Sequence, residues 1–219
     1  MDLPDNLHVL PQTANVRALM STLRDKTTNS QRFRRAADQL GDILAIHALA
    51  TQPVADGHVV RSPTGEEPRG AKLGGLQALV PILRAGQALV PSFDKFMDDP
   101  MIWHLGLSRD HQTLLPREYR CDVPENVDPN GLWVPHCYVL DPMLATGGSA
   151  EYAVRLLKTR GAQKITFVGI VGAPEGVRFL HERHPDVDIH LAVLDRCLNE
   201  RGYILPGLGD FGDRYYHTV

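Results

Sequence analysis

Apolar residues recur at Val16, Leu19, Met20 and Leu23, and after a polar break at residues 26–30 the same spacing continues through Phe33, Ala37, Leu40 and Leu44. Steps of three and four are the helical period, so two amphipathic helices are expected to open the chain. Ser30 is the predicted cap of the second, and Arg32, Arg34 and Arg35 on its outer side predict a solvated basic face. From residue 52 to 75 the text turns to Pro, Gly, Ser and charge, which predicts an irregular connection with a short strand at 58–61 and no domain boundary. The pattern then changes. Short continuous apolar runs at 76–83, 102–107, 134–140, 165–171 and 189–194 suit strands buried on both faces, and helical text at 148–160 and 174–183 lies between the later ones. The expected fold class is α/β, an open, mostly parallel sheet flanked by helices. Residues 110–131 mix charge with Pro124, Pro129 and Asn130-Gly131, which predicts a hairpin or arm projecting from that sheet. There is no internal repeat.

Composition narrows the class. A chain of 219 residues with 43% hydrophobic and 22% charged residues is neither disordered nor a disulfide miniprotein, and is long enough to bury one sizeable core. Its 23 Lys and Arg against 26 Asp and Glu give a formal charge of −3, so no overall positive field draws it to nucleic acid or anionic lipid. Any phosphate must be bound by local structure. No window approaches the ~20 apolar residues of a membrane span, and the opening MDLPDNLHVL lacks the apolar run of a signal peptide. Cys121, Cys137 and Cys197 are odd in number and widely spaced, which excludes a disulfide framework and fits a reducing cytoplasm. His181 and His184 stand at i, i+3 without a third ligand in reach, so a solvated helix end is expected rather than a metal site. His104, His111 and His136 are read as structural or exposed. Glu175 after Pro174 reads as an acidic first helical turn.

The candidate chemistry lies in three segments. In YVLDPMLATGGS (residues 138–149) an apolar strand runs into Asp141, a short loop follows, and Thr146-Gly147-Gly148-Ser149 opens a helical stretch. Two glycines let a ligand approach the backbone, the first N–H groups of the helix point outward, and the helix dipole favours an anion. A phosphate is expected there. The loop is not the nucleoside-triphosphate pattern G-x-x-x-x-G-K-[ST], nor G-x-G-x-x-G. The second segment is the run 76–83, which ends at Arg84-Ala85-Gly86, where an open α/β sheet binds ligands and a guanidinium suits a charged phosphate. The third, residues 202–213, carries five glycines together with Tyr203, Ile204, Leu205 and Phe211, and predicts an ordered loop closing over something small.

Taken together, these segments resemble the uracil phosphoribosyltransferase family. VPILRAG at 80–86, DPMLATGGS at 141–149, APEG at 173–176 and the NE-GY-PGLGD-GD pattern at 199–213 follow that family's signatures in order, and Arg24-Asp25-Lys26 and Arg32-Phe33-Arg34 extend the likeness into the opening helices. The resemblance implies a single type I phosphoribosyltransferase domain over 1–219. Its parts would be N-terminal helices (1–51), a core sheet (76–194) with an arm at 110–133, and a C-terminal hood (195–219). It implies transfer of 5-phosphoribosyl from 5-phosphoribosyl 1-diphosphate to uracil, giving UMP and diphosphate.

The donor would lie on Asp141, Pro142, Met143, Leu144, Ala145, Thr146, Gly147, Gly148 and Ser149, with Thr146 to Ser149 on the 5-phosphate and Asp141 on the ribose hydroxyls. Arg84 and Arg109 would hold the diphosphate. Tyr203, Ile204, Gly209, Asp210 and Phe211 would read uracil, largely through backbone, and Asp210 would also face the donor. Arg84 and Asp210 are the implied catalytic residues. Mg²⁺ is the implied cofactor, held mainly through the substrate, a GTP effector is among the implied partners, and a homodimer or larger assembly is expected. The family shares Pro142, whereas Phe211 and Cys197 stand where small residues are common. The alternative is a non-catalytic regulatory or binding protein on the same fold, for instance one that binds RNA; the slight negative charge speaks against RNA, and the intact Arg84, Asp141 and Asp210 speak against lost catalysis.

Overall fold

In a computed structural model, which describes residues 3–50, 52–109, 116–127 and 135–218, the elements follow one another as β1 (Leu7–Val9), α1 (Ala14–Arg24), α2 (Ser30–Leu49), β2 (Val54–Val59), β3 (Arg69–Leu73) and β4 (Gln77–Leu83). A 3₁₀ turn (Ala85–Leu89) leads into α3 (Val90–Asp94), β5 (Met101–Ile102), β6 (Leu105–Arg109), β7 (Pro116–Cys121), β8 (His136–Leu140) and β9 (Met143–Leu144). The chain continues through α4 (Gly148–Thr159), β10 (Lys164–Gly172), α5 (Pro174–Arg183), β11 (Asp188–Leu194), β12 (Cys197–Leu198), β13 (Ile204–Leu205) and α6 (Phe211–Tyr216).

The main sheet runs in the order β1-β11-β10-β8-β4-β6-β7, with β5 beside β4 and β9 beside β10. All its pairings are parallel except β6 with β7. The apolar runs alternate between two cores because successive strand residues face opposite sides. Leu79, Tyr138, Leu140, Val168 and Ile170 pack under α1, α2, α3 and α6, while Ala78, Val80, Cys137, Val139, Ile165 and Phe167 pack under α4 and α5. Both faces are covered, which is why these strands read as unbroken apolar text.

Strand order reverses between β4 and β8: from β4 the chain moves outward to β6 and β7, and from β8 it moves the other way to β10 and β11. A crevice opens at the carboxyl ends of strands at such a point. The register pairs Val80 with Val139 and Pro81 with Leu140, so the segments that follow, Arg84 and Asp141, emerge side by side.

The structure departs from the pattern reading in several places. Asn29, not Ser30, caps α2, its Oδ1 accepting from the Arg32 N–H at 2.9 Å; Asn29 has the extended backbone a cap needs, and Ser30 is the first helical residue. Arg34 is half-buried and donates to the Tyr215 carbonyl at 3.0 Å, so the basic face is solvated only at Arg32 and Arg35. The connection at 52–75 contains the antiparallel pair β2–β3, bulged between Asp56 and His58, which breaks the alternation that would have announced it. The run 102–107 is two strands, β5 and β6, lying end to end along β4 with Trp103 and His104 between them. The predicted arm begins as β7 returning antiparallel along β6; its residues 110–115 and 128–134 lie outside the described residues. His184 is buried at the end of α5 rather than solvated.

The C-terminal segment is bound to the N-terminal helices by charge. The Arg24 guanidinium spans both oxygens of Asp195, at 2.5 and 2.9 Å, and also donates to the Gly207 carbonyl at 2.8 Å. Asp195 is buried and accepts from the Gly207 N–H at 2.8 Å as well. Arg214 completes the attachment, donating to the carbonyls of Leu23, Leu208 and Asp25 while its guanidinium lies 4.4 Å from the Phe33 ring centre. Removing one member of a buried pair leaves the other charge without compensation. Arg24→Ala is therefore expected to cost about 3 kcal/mol in urea unfolding; a loss below about 1 kcal/mol would show that water replaces the guanidinium at Asp195.

Candidate functional site

The loop after β8 forms a small polar pocket of about 90 Å³, lined by Asp141 and by every residue from Met143 to Ala150. Its shape comes from backbone contacts. Gly147 caps α4 in the left-handed region at φ 85°, which an L side chain rarely adopts. The loop is backed by α5, where a Cβ on Gly176 would stand 2.3 Å from the Ala145 carbonyl oxygen. The APEG segment thus serves the loop by letting α5 come into contact with it. Pro142 is held through its carbonyl, which accepts from the N–H groups of Ile170 and Val171 at 2.9 Å each. With the loop fixed on both sides, the first turn of the 12-residue helix α4 presents N–H groups at the pocket, an arrangement that favours an anion. Thr146 is exposed and Ser149 half-buried, so both hydroxyls can add donors.

Asp141 follows directly on β8. Burial pushes its carboxyl up to about 7, only partly offset by the Met143 N–H, which donates to Oδ1 at 3.4 Å. A carboxyl in this state gains from any hydroxyl donor or cation that reaches it.

Across the switch point, Gly86 lies so close to β8 that a Cβ would stand 2.1 Å from the Leu140 carbonyl oxygen. This contact sets the Arg84 turn beside the Asp141 loop. Arg84 is exposed, its preceding peptide is cis, and its Nη2 lies 3.1 Å from Asp213 Oδ1. Arg109 closes β6 opposite Pro116 of β7; its side chain lies outside the described residues.

The C-terminal segment arches back over these elements. Asn199 organises its hairpin, with Oδ1 accepting from the N–H groups of Arg201 and Tyr203 at 3.0 and 2.9 Å, and β12 and β13 pair beyond it. Gly202 approaches the phosphate-type loop, since a Cβ there would meet Thr146 Cγ2 at 3.5 Å. Asp210 caps α6 through the Asp213 N–H at 2.9 Å and is exposed. Ile204 and Phe211 turn their side chains into the core, Phe211 against the rings of Phe33 and Tyr215, so only their backbone is available to a ligand. The bulk of Phe211 tightens the attachment to α2 rather than the mouth of the site. Tyr203 is 58% exposed and Gly209 is exposed at φ 80°.

The structure brings the expected Arg84, Asp141, residues 143–149 and Asp210 to one end of the sheet, held by several residues to which the sequence reading gave no such role. Asp195, Arg24 and Arg214 tie the hood down, and Asp213 faces Arg84. Glu175 does more than complement a helix dipole: its Oε1 accepts from the Leu198 N–H at 3.0 Å and joins α5 to β12. The only local signals were the charged residues inside family-like segments. At the other end of the sheet His136 is buried against Gln52, Tyr138 and Thr166, and burial lowers its pKa to about 3, so it serves structure. Among the described residues no group of three or more His, Cys, Asp or Glu could hold a metal ion by itself, and no helix is long and apolar enough to cross a membrane.

A mostly parallel sheet with a phosphate-type loop at its switch point and a closing C-terminal segment defines the type I phosphoribosyltransferase fold. Its architecture is shared with an adenine phosphoribosyltransferase from Trypanosoma brucei, at TM-score 0.56 and 13% identity over 96% of this chain and 92% of that one. A profile of the family described as uracil phosphoribosyltransferase matches residues 9–218, and the chain belongs to that family. Uracil phosphoribosyltransferases of Roseiflexus sp. (strain RS-1) and Roseiflexus castenholzii are 44% and 46% identical to it, covering 96% and 91% of this chain and 98% and 92% of theirs. A solved structure of the AQ2163 protein from Aquifex aeolicus superposes with TM-score 0.85 at 32% identity, covering 96% of this chain and 97% of that one.

The α5 contact gives a direct test of how the pocket is built. Gly176→Ala is expected to push residues 144–146 away from α5, to cost about 1–3 kcal/mol of stability and to weaken sulfate binding in a calorimetric titration. Unchanged sulfate affinity would mean that α5 does not shape the loop.

Proposed function

We propose that the protein transfers the 5-phosphoribosyl group of 5-phosphoribosyl 1-diphosphate to N1 of uracil, releasing diphosphate and forming UMP. The observation that carries this reading is the anion pocket of Asp141 and residues 143–150, set beside the Arg84 turn and beneath the hood. The loop takes the 5-phosphate through the N–H groups of Gly147, Gly148 and Ser149 and the hydroxyls of Thr146 and Ser149. Asp141 accepts from the ribose hydroxyls.

Breaking the bond between C1 and the diphosphate oxygen builds positive charge on the ribose and negative charge on the leaving group. Arg84 and Arg109 meet the negative side. Mg²⁺ fits this donor set: the ionised Asp141 carboxylate offers a hard oxygen, and Mg²⁺ usually arrives on substrate phosphates rather than in an all-protein cage. When bound, it supplies further neutralisation of the diphosphate. The remaining work falls to the chain itself. Uracil presents an acceptor, donor and acceptor edge, which backbone groups of residues 203–204 and 209–211 complement, and cytosine, with an acceptor at N3 and a donor at C4, would leave two such groups unpaired. Asp210 has one oxygen bound by the Asp213 N–H, and its carboxylate orients or takes the N1 proton. The hood excludes water from the activated sugar.

Incubating the protein with Mg²⁺, uracil and the donor should yield UMP; none formed under conditions where a known relative works would overturn the reading. Arg84→Ala is expected to lower kcat/KM for the donor by about 10²–10³, and near-wild-type turnover would remove Arg84 from the diphosphate site.

Asp141 predicts a pH dependence. Its folded pKa is raised to about 7 from 3.8, so the folded chain holds the proton more tightly than the unfolded one, and this group's contribution to stability falls as pH rises between those values. The carboxylate is the form that accepts from ribose. Donor affinity should therefore strengthen from pH 6 to 8 and level off above, and this part of the profile should vanish in Asp141→Asn. An identical profile in the variant would assign the titration elsewhere.

A further inference from the structure

Helix α6 touches Arg84 at two points. The Tyr216 hydroxyl donates to the Arg84 carbonyl at 3.1 Å, and the Arg84 guanidinium donates to Asp213 Oδ1, also at 3.1 Å. Asp213 and Tyr216 are three residues apart and so share one face of the helix. Asp213 is itself well fixed. The oxygen that meets Arg84 accepts from Thr218 Oγ1 at 2.6 Å, and the Asp213 N–H donates to Asp210 Oδ1 at 2.9 Å. The first turn of α6 also packs on the Arg84 turn, since a Cβ on Gly212 would lie 3.9 Å from Ala85 Cβ and 3.4 Å from Asp210 Oδ1. Asp213 therefore links the arginine to the capping residue Asp210, and hood to sheet, in one short chain of bonds.

The strength of this pair decides its role. The Arg84 and Asp213 side chains are 59% and 29% exposed, and ion pairs in such surroundings are weak. The contact joins one guanidinium nitrogen to one carboxylate oxygen, whereas a diphosphate offers several charged oxygens that a guanidinium can engage in parallel. Diphosphate should thus displace the carboxylate readily, while the Tyr216 bond holds the Arg84 backbone in place. Resting on the reading of Arg84 as a diphosphate ligand, we infer that Asp213 is a positioning residue: it holds the Arg84 guanidinium at the hood in the free protein and yields it to the incoming donor. Tyr216 keeps the carbonyl of the same residue in register throughout.

Two effects follow from this arrangement, and they oppose each other. Asp213 competes with diphosphate for Arg84, so its loss strengthens ground-state binding. It also aims the guanidinium, so its loss slows turnover. Purely structural damage would weaken both together.

The test is calorimetric titration of the full chain with Mg²⁺ and inorganic diphosphate, alongside steady-state UMP formation. Asp213→Asn, which keeps the size of the side chain and an oxygen for Thr218, is expected to bind diphosphate about two- to fivefold more tightly, with lower kcat and an unchanged KM for uracil. Affinity that is unchanged or weaker would overturn the inference. Tighter binding with unchanged kcat would also overturn it, leaving Asp213 a bystander charge. The substitution is expected to have no effect on diphosphate affinity in an Arg84→Ala background; persistence of the gain there would mean that Asp213 acts by general repulsion and not through Arg84. If Arg84→Ala alone leaves diphosphate affinity intact, the assignment of Arg84 to the donor fails instead.

Discussion

Gly86 lies directly against the end of β8, where a methyl group would stand 2.1 Å from the Leu140 carbonyl oxygen. Main chain meeting main chain at this distance brings two parallel strand ends together without a side chain between them. The Arg84 turn and the Asp141 loop become neighbours because of it. Similar contacts recur around the crevice, with Gly176 on Ala145 and Gly207 on Ile204, each leaving less than 2.5 Å for a Cβ. The walls of the site are therefore made largely of backbone, and backbone N–H groups are what a phosphate needs.

The second layer of organisation is ionic. Arg24 and Arg214 reach from the first and last helices to tie the C-terminal segment to α1 and α2, while Glu175 ties the same segment to α5. The hood is thus anchored on both sides of the sheet. Its exposed residues include Asn199, Glu200, Arg201, Tyr203, Gly209 and Asp210.

What could be read from sequence tracks how local the determining forces are. The strands at 76–83, 165–171 and 189–194 were legible because burial on both faces leaves no polar interruptions, and α5 was bounded by Pro174 at its start. The phosphate-type loop was legible because glycine spacing is a local requirement of its turn. The β2–β3 hairpin was not, since its bulge and scattered polar residues disrupt the two-residue period. Among the described residues the three-residue strand β1 pairs with β11 alone, and it carries too little text to identify. Least legible were the pairings of Arg24 with Asp195 and Arg84 with Asp213, which join residues 171 and 129 positions apart. Nothing near either residue announces its partner.

Those distant pairings bear on how the molecule is made. The opening helices are translated early and pack on each other and on α3, yet the rest of their cover belongs to β10, β11 and α6, and the counter-charge for Arg24 arrives only at residue 195. Leu23, Phe33, Leu40 and Leu44 can meet α1, α2 and α3 early, but the part of their cover that comes from β10, β11 and α6 is made last. Contacts so far apart in sequence slow folding and prolong the exposure of sticky intermediates.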